Sequence, residues 1–383
     1  MKQKRFAGMA NRAFRIVAAC AVLMMTAGLC SCGGSSSNMT AEEREAEKQA
    51  KSELKELESQ LKKVLGITPE EALAMSAVMY KKKDEEIAKG LAKYEVMTAA
   101  EKVEGLKKFE IDTWSASDVE QLKPYIADAK KKMSAVSKEK DKLVKEYKEQ
   151  QKKMAEIKSM SVDKLKNQKP APESDFEVKP TDDSFTSIAI TKYKGSDPLV
   201  VIPATMQGLP VKRIGENAFE TGLYKGNKNI VAVVIPEGVT VISAYAFCDC
   251  ENLSVAVLPS TLKAIDKWAF SKYSSRKSIE LPAGLVCIGN AAFEESGLTS
   301  VSLPKSLRLL DYKAFCNCNS LAEIQIPADH AVSCMYTYDY DKEITFESFF
   351  SGTKIKESIA LQKLLKETKT RKISQDEYKS IRA

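Results

Sequence analysis

The stretch IELPAGLVCIGNAAF, residues 279–293, is one of several copies of a single phrase in the chain. In three of the copies an apolar, a polar and an apolar residue precede the proline, as in this stretch, and in four of the evenly spaced copies further apolar residues follow it at fixed spacings. The regularly spaced copies begin at Pro236, Pro259, Pro282, Pro304 and Pro327, and a longer copy begins at Pro203. A period of about 20 to 29 residues with one short strand in each unit indicates a solenoid of stacked coils.

The recurring positions have a physical explanation in such a stack. In three units the residues before the proline alternate in polarity, so each of these sets is expected to be a short strand with one side buried, as for Ile279-Glu280-Leu281. Proline has no N–H to donate to a ladder and therefore ends the strand. The apolar residues three and six positions later and the Ala292-Phe293 pair fill the interior, because no single unit can bury its own apolar side.

The phrase resembles the BspA-like class of leucine-rich repeats in bacterial surface proteins, whose units read roughly IPxxVxxIgxxAFxxCxxLxx. The resemblance covers about residues 186–356 and implies a solenoid of short parallel strands. For some members of the class it also implies adhesion to proteins of a host or of neighbouring cells. One unit departs from the pattern, because Arg276 stands where the other units have leucine or isoleucine. Tyr273 is expected to fill the resulting gap.

The first 31 residues have the pattern of an export signal. Five basic residues precede the apolar run 16–29, which suits a signal peptide and is short for a membrane span. The run leads into Leu29-Cys30-Ser31-Cys32, which resembles the lipobox of bacterial lipoproteins and predicts lipid on Cys32. We expect a lipoprotein signal peptide over 1–31 and a flexible tether over 32–39. An uncleaved anchor and an ordinary secretory signal are the alternatives.

Removal of the export signal also changes the charge of the chain. The formal net charge is +7, and the first 31 residues contain five basic and no acidic side chains, so the remainder carries +2. So small an excess does not support binding to nucleic acid.

Residues 40–166 are rich in Lys, Glu, Ala and Leu and are predicted to form a helical bundle or coiled coil. Capping-box patterns, in which Glu follows three residues after the first residue, occur at Thr40, Thr68 and Thr98. The first helix is expected to end at Leu65 before a glycine. A long helix is expected to begin near Pro124.

The long helix has a seam of apolar residues at alternating spacings of three and four between Val119 and Ile157, interrupted by Lys140 and Gln150. Such a seam requires a partner helix. The expected arrangement is a local antiparallel bundle with the segment 41–65 or 69–96, and self-association of two copies is the alternative. The other lysines are expected on a solvated face.

The predicted fold class is α+β and modular, with a helical part followed by a solenoid and a helical cap. Residues 167–185 contain prolines, charges and serines and are predicted to be a linker. The leucine-rich-repeat solenoid is predicted over 186–353. Residues 354–383 are predicted to form a helical C-terminal cap over the last coil.

Nothing in the sequence predicts an enzyme, a cofactor site or a metal site. The single histidine, His330, has Cys334 nearby but no acid or oxyanion donor in phase. Two Cys-x-Cys pairs, which begin at Cys248 and Cys316, resemble halves of a zinc site. They occupy equivalent positions three coils apart, roughly 14 Å, because neighbouring strands lie about 4.8 Å apart. Neither one metal ion nor a disulfide can span that distance.

Binding is expected on the open face, which is the side of the short strands that points away from the core. The residues two positions before each proline are Val201, Val234, Val257, Glu280, Ser302 and Gln325. The first three are apolar and the last three are polar. Three explanations remain open for the valines: they suit strands, they are covered by the helices or the linker, or they bind an external protein.

The sequence therefore predicts a lipid-anchored protein of the bacterial cell envelope whose solenoid binds another protein. Surface exposure is favoured over a periplasmic position, and adhesion is one role that the resemblance implies. The alternative is a periplasm-facing structural scaffold that binds an envelope partner through its helices.

Overall fold

The computed structural model describes residues 41–107, 116–222, 225–273, 279–325, 333–335 and 347–355. The chain divides into two units, residues 1–155 and 156–383. The described part of the first unit is helical, and the second unit is built mainly from short strands. This confirms the predicted α+β class, with helices followed by a solenoid. His330, Cys32 and nearly all of the predicted C-terminal cap lie outside the described residues.

The helices before the solenoid are α1 Ala41–Leu65, α2 Pro69–Met79, α3 Asp84–Val96, α4 Ala99–Lys107, α5 Ala116–Lys158 and α6 Val162–Lys166. The predicted capping box starts α2: the Thr68 N–H donates to Glu71 Oε2 at 3.0 Å, and the Glu71 N–H donates to Thr68 Oγ1 at 3.3 Å. Gly66 follows α1 with a φ of 67°, an angle that favours glycine. None of these helices, within the described ranges, is both long and apolar enough to cross a membrane.

Helix α5 begins at Ala116, eight residues earlier than the start predicted near Pro124. The earlier start has a packing reason, because Leu122 is buried and Val119 is partly buried against the same hydrophobic cluster. That cluster also contains residues of α1, α2 and α3, so the seam of α5 finds partners inside its own unit.

The helices that meet the α5 seam include one that runs parallel to it. Lys132 of α5 pairs with Asp84 at 2.6 Å, and Lys140, two turns later, pairs with Glu95 near the end of α3 at 2.9 Å. Both helices therefore advance in the same direction. The expected bundle was antiparallel, and the hydrophobic seam alone could not distinguish the two directions.

The second unit contains β1 Phe176–Pro180, β2 Ile188–Tyr193, β3 Leu199–Val201, β4 Thr205–Met206, β5 Leu209–Ile214, β6 Glu220–Gly222, β7 Lys225–Gly226, β8 Ala232–Val234, β9 Val241–Ile242, β10 Val255–Val257, β11 Ala264–Ile265, β12 Cys287–Ile288, β13 Ser300–Ser302, β14 Leu309–Asp311, β15 Glu323–Gln325 and β16 Ser333–Met335. The strands before the prolines form one set of parallel ladders, in the orders β10-β8-β3 and β13-β15. We call this set the first ladder.

A second ladder, which the sequence did not predict, runs along another side of the coils. Its regular strands, β9, β11, β12 and β14, begin five residues after the proline of their coil, and the order of the whole ladder is β1-β2-β5-β9-β11-β12-β14-β16. Ala264 pairs with Val241 on one side and with Cys287 on the other, so adjacent coils are in register. One residue of each two-residue strand points into the core, as Ile265 does.

The core of the solenoid is a column of aromatic rings contributed by the Ala-Phe pairs. Phe247, Phe270, Phe293 and Phe315 stack with ring centroids 5.2–5.5 Å apart. Phe350, in a short helix α7 Glu347–Phe350, continues the column at 5.9 Å, so the region after the last complete repeat forms a further coil.

The N-terminal end of the solenoid is closed by a hairpin. Strand β1 lies within the predicted linker 167–185 and pairs antiparallel with β2. Phe176 is buried and its ring lies 5.3 Å from that of Tyr193, which stacks in turn on Phe219. The predicted linker is therefore partly an N-terminal cap, because Phe176 covers the first ring of the core column.

Candidate functional site: the open face of the solenoid

The open face is formed by the residues two and four positions before each proline. The residues between them, such as Val200 and Val233, belong to the solenoid core, so these two point outward. On the first three strands the outward residues are Leu199, Val201, Ala232, Val234, Val255 and Val257; on the last two they are Ser300, Ser302, Glu323 and Gln325. We call these sets the apolar half and the polar half of the open face.

The apolar half is buried along its predicted valines. Val201 and Val234 are each 7% exposed and Val257 is 6% exposed. They are therefore not available as an exposed contact strip.

The segment that precedes the solenoid lies beside β3, the edge strand of this half. The Ala171 N–H donates to the carbonyl oxygen of Val201 at 2.8 Å, and Leu165 of α6 is fully buried. The pKa of the Glu237 carboxyl is lowered, mainly by the Ser260 N–H and to a smaller extent by the Lys166 ammonium group. Glu237 follows Pro236 in the coil that contains β8, so the Lys166 ammonium group of α6 lies near that coil.

The polar half is exposed. Ser302, Glu323 and Gln325 are exposed, as is Glu280 in the preceding coil. Among the described residues these four side chains have no hydrogen-bond or ion-pair partner. Strands β13 and β15 hold the outward groups in fixed register, with Ser302 opposite Gln325. The polar half therefore offers hydrogen-bonding groups in a fixed arrangement to a partner.

Tyr273 marks the boundary between the two halves. The predicted strand Ile279–Leu281 is absent, which separates β10 from β13. The Ala256 N–H, which points to the coil that should pair with β10, donates instead to the Tyr273 hydroxyl at 3.1 Å. Tyr273 is 2% exposed and meets Phe270 edge-on at 5.7 Å, as expected for the residue that fills the gap in this coil.

The cysteines at the equivalent turn position are packing residues. Cys250 and Cys318 are fully buried, and their thiols donate to carbonyl oxygens of the preceding coil, those of Phe219 and Phe293. Burial raises the pKa of Cys250 to about 12 and that of Cys318 to about 11, so both stay protonated at neutral pH. Cys316 is also buried.

Asp311 is the one buried carboxyl group with a large shift among the described residues. Its side chain accepts from the Tyr312 N–H at 2.7 Å and is 2% exposed. Burial raises the pKa of Asp311 to about 7, although hydrogen bonds from the backbone N–H groups of Tyr312 and Asn290 oppose the shift. Asp311 is the last residue of β14, and its carboxyl group is hydrogen-bonded to the backbone there, so its role is structural. In the described ranges no three His, Cys, Asp or Glu side chains gather where they could hold a metal ion.

Residues 212–345 match the family model described as BspA type Leucine rich repeat region, in six copies. The match confirms the resemblance that the repeated phrase predicts. No curated protein matches the chain.

Solved structures of bacterial leucine-rich-repeat proteins are similar to part of the chain. One from Bacteroides ovatus is 25% identical with a TM-score of 0.36, and the alignment covers 42% of each chain. One from T. pallidum is 24% identical with a TM-score of 0.38, and the alignment covers 54% of this chain and 98% of the other. The pneumococcal vaccine antigen PcpA is 18% identical with a TM-score of 0.31, over 44% and 43% of the two chains. The chain thus matches less than half the length of the Bacteroides ovatus protein.

Proposed function

We propose that this chain, which carries a BspA-type leucine-rich-repeat region, is a lipid-anchored cell-envelope protein that binds another protein through the polar half of its open face. A repeat region of this type suggests protein–protein interaction, since repeat solenoids use extended surfaces to bind partners. The export signal and lipobox support the envelope location. Adhesion at the cell surface is the finer role that we propose.

The observation that carries the proposal is the change along the open face. The valines of the first three strands are buried, whereas Ser302, Glu323 and Gln325 are exposed without side-chain partners in the described structure. A partner that covers these exposed groups must satisfy their hydrogen bonds, so a protein surface with complementary donors and acceptors is the partner that fits.

Photo-crosslinking in intact cells tests the site. A photo-reactive amino acid at Ser302 or at Gln325 should yield a crosslinked protein, and the same residue at Lys263, which is exposed just before the second ladder, should not. Equal yields from Lys263 and Ser302, or no product from either open-face position, would show that the polar half is not the binding surface.

The scaffold alternative makes a different prediction in the same experiment. If the helices bind an envelope partner, crosslinks should form from Lys55, an exposed residue of α1, and not from Ser302. Protease treatment of intact cells adds the location: digestion of the solenoid only after permeabilisation would exclude the adhesin.

The lipid anchor has its own test. Fatty-acid labelling of the chain should be lost in Cys32→Ala, because that substitution removes the predicted acceptor thiol. Labelling that persists in the variant would show that Cys32 is not the lipidated residue.

A further inference from the structure

Four lysines of α5 stand seven residues apart: Lys131, Lys138, Lys145 and Lys152. All four are exposed. Seven residues are nearly two turns, so the four side chains share one side of the helix, with a drift of about 20° per step. With a rise of about 1.5 Å per residue, the row is about 30 Å long with one charge about every 10 Å. We call these residues the lysine row.

The lysine row lies opposite the buried seam of α5. In the heptad that contains Met133 and Val136 at its two core positions, Lys138 occupies the position farthest from the core. Val136 is 4% exposed and Met133 is partly buried against the helical cluster. The row therefore faces away from the bundle that the seam contacts.

Other lysines of the same helix are used inside the unit. Lys130 pairs with Glu71 at 3.5 Å, and Lys148 pairs with Glu95 at 3.7 Å. Within the part of the chain that the structure describes, no member of the lysine row has an ion pair or a side-chain hydrogen bond. The charge of the row is thus not needed to hold the bundle together.

We propose that the lysine row is a docking surface for a bilayer that contains anionic phospholipid. The charges lie along a nearly straight line, so all four ammonium groups can reach a flat surface together. Since the row itself is charged rather than apolar, the contact is electrostatic and needs no insertion into the acyl chains. Double-stranded nucleic acid carries one charge about every 1.7 Å, whereas the lysine row has one about every 10 Å. The spacing of the row therefore does not match that of a nucleic-acid backbone. The proposal goes beyond the solenoid's function and does not depend on lipid at Cys32.

Vesicle binding by the full chain from residue 32, with Cys32→Ser to exclude lipidation, tests the proposal. The protein should bind vesicles of phosphatidylcholine mixed with phosphatidylglycerol, and not vesicles of phosphatidylcholine alone. Binding should weaken as salt is raised, because the charges are exposed. The double variant Lys138→Gln and Lys145→Gln should lower the partition coefficient about twenty-five-fold, at about fivefold per lysine.

A charge-matched control separates the row from net charge. Lys212→Gln with Lys263→Gln removes two exposed lysines from the solenoid, and this variant should bind as the parent does. Equal losses in the two double variants, or no binding to anionic vesicles at low salt, would overturn the proposal. Preference for soluble dextran sulfate over the vesicles would overturn it in favour of a polyanion. Circular dichroism should show unchanged helix content, because glutamine is as good a helix former as lysine.

Discussion

Replacing Tyr273 should separate its two contributions to the irregular coil. In Tyr273→Phe the ring remains and the Ala256 N–H loses its acceptor at 3.1 Å. A half-buried N–H without a partner costs about 1 kcal/mol, so the amide should exchange about fivefold faster where local opening controls exchange. Hydrogen exchange followed by mass spectrometry, on peptides that cover β10, measures this directly.

Tyr273→Cys should cost more, because it removes the ring as well. Cys250 and Cys318 occupy the same turn position in their coils, yet those coils carry Leu253 and Leu321 where this one has Arg276. Loss of a fully buried aromatic ring costs about 3–5 kcal/mol, and the expected loss here is about 3 kcal/mol because the thiol fills part of the space.

The matched control places the same side chain one coil later. Ser296→Cys, at the equivalent turn position, changes little volume but places a thiol where the Ser296 hydroxyl lies 3.2 Å from Cys318 Sγ. Under reducing conditions, which prevent a disulfide there, it should alter the stability of the folded chain by less than about 1.5 kcal/mol. If Tyr273→Cys is tolerated as well as Ser296→Cys, or if β10 exchanges at the parent rate in Tyr273→Phe, Tyr273 does not fill the gap in the ladder.

The other expected outcomes concern stability. Because the pKa of Asp311 is about 7 in the folded chain and 3.8 in its unperturbed state, the folded chain keeps a proton that the unfolded chain loses, and stability falls from pH 4 to pH 7. Asp311→Asn should remove this dependence of stability on pH and raise the unfolding free energy at pH 8 by at most about 4 kcal/mol, measured by urea titration. An unchanged pH dependence in the variant would contradict the shifted pKa of Asp311. Glu295 has a φ of 58°, so Glu295→Gly should raise the unfolding free energy by about 1 kcal/mol. Lys305→Gly, at a residue outside the left-handed region, should not stabilise the chain. Equal thermal shifts in the two variants would show that the Glu295 backbone is not strained. A Cβ at Gly289 would lie 2.7 Å from the backbone of the preceding coil, so Gly289→Ala should lower the unfolding free energy by about 1–3 kcal/mol. Gly222→Ala, where a Cβ meets no obstruction, should leave it unchanged. A tolerated Gly289→Ala would show that the coils do not approach so closely.

The repeated phrase carries most of the information about the solenoid. Proline at the end of each strand and Ala-Phe in the interior follow from stacking, and Phe293 and Phe315 lie in the column where the phrase predicts them. The second ladder could not be predicted in the same way. Its regular strands contain two residues, as Val241–Ile242 does, which is too short to show an alternation.

The turns also contain information that residue types do not display. In four coils the residue two positions before the core phenylalanine has a φ between 50° and 58°. These residues are Tyr245, Trp268, Ala291 and Lys313. Glycine or asparagine usually marks such angles, and none of these four positions carries either residue. The register of the stacked coils sets these angles, so local sequence gives no sign of them.

The state of the open face lies beyond sequence reasoning for a different reason. The valines could be recognised as outward residues, but their burial depends on packing by other parts of the chain, which the repeated phrase does not encode. Ser302 and Gln325 needed no such packing, and their exposure follows from their polarity and their place in the strand. The candidate site is therefore predictable in its polar half and not in its apolar half.

Labelling with a membrane-impermeant maleimide on intact cells tests the central claim most directly. The reagent is applied to Ser302→Cys and Val234→Cys, with the unsubstituted chain as the background for its own cysteines. Ser302→Cys should be labelled rapidly and Val234→Cys only after denaturation, because the first position is exposed and the second is 7% exposed. Equal labelling of the two variants, or none of Ser302→Cys before permeabilisation, would contradict a polar half that is open at the cell surface.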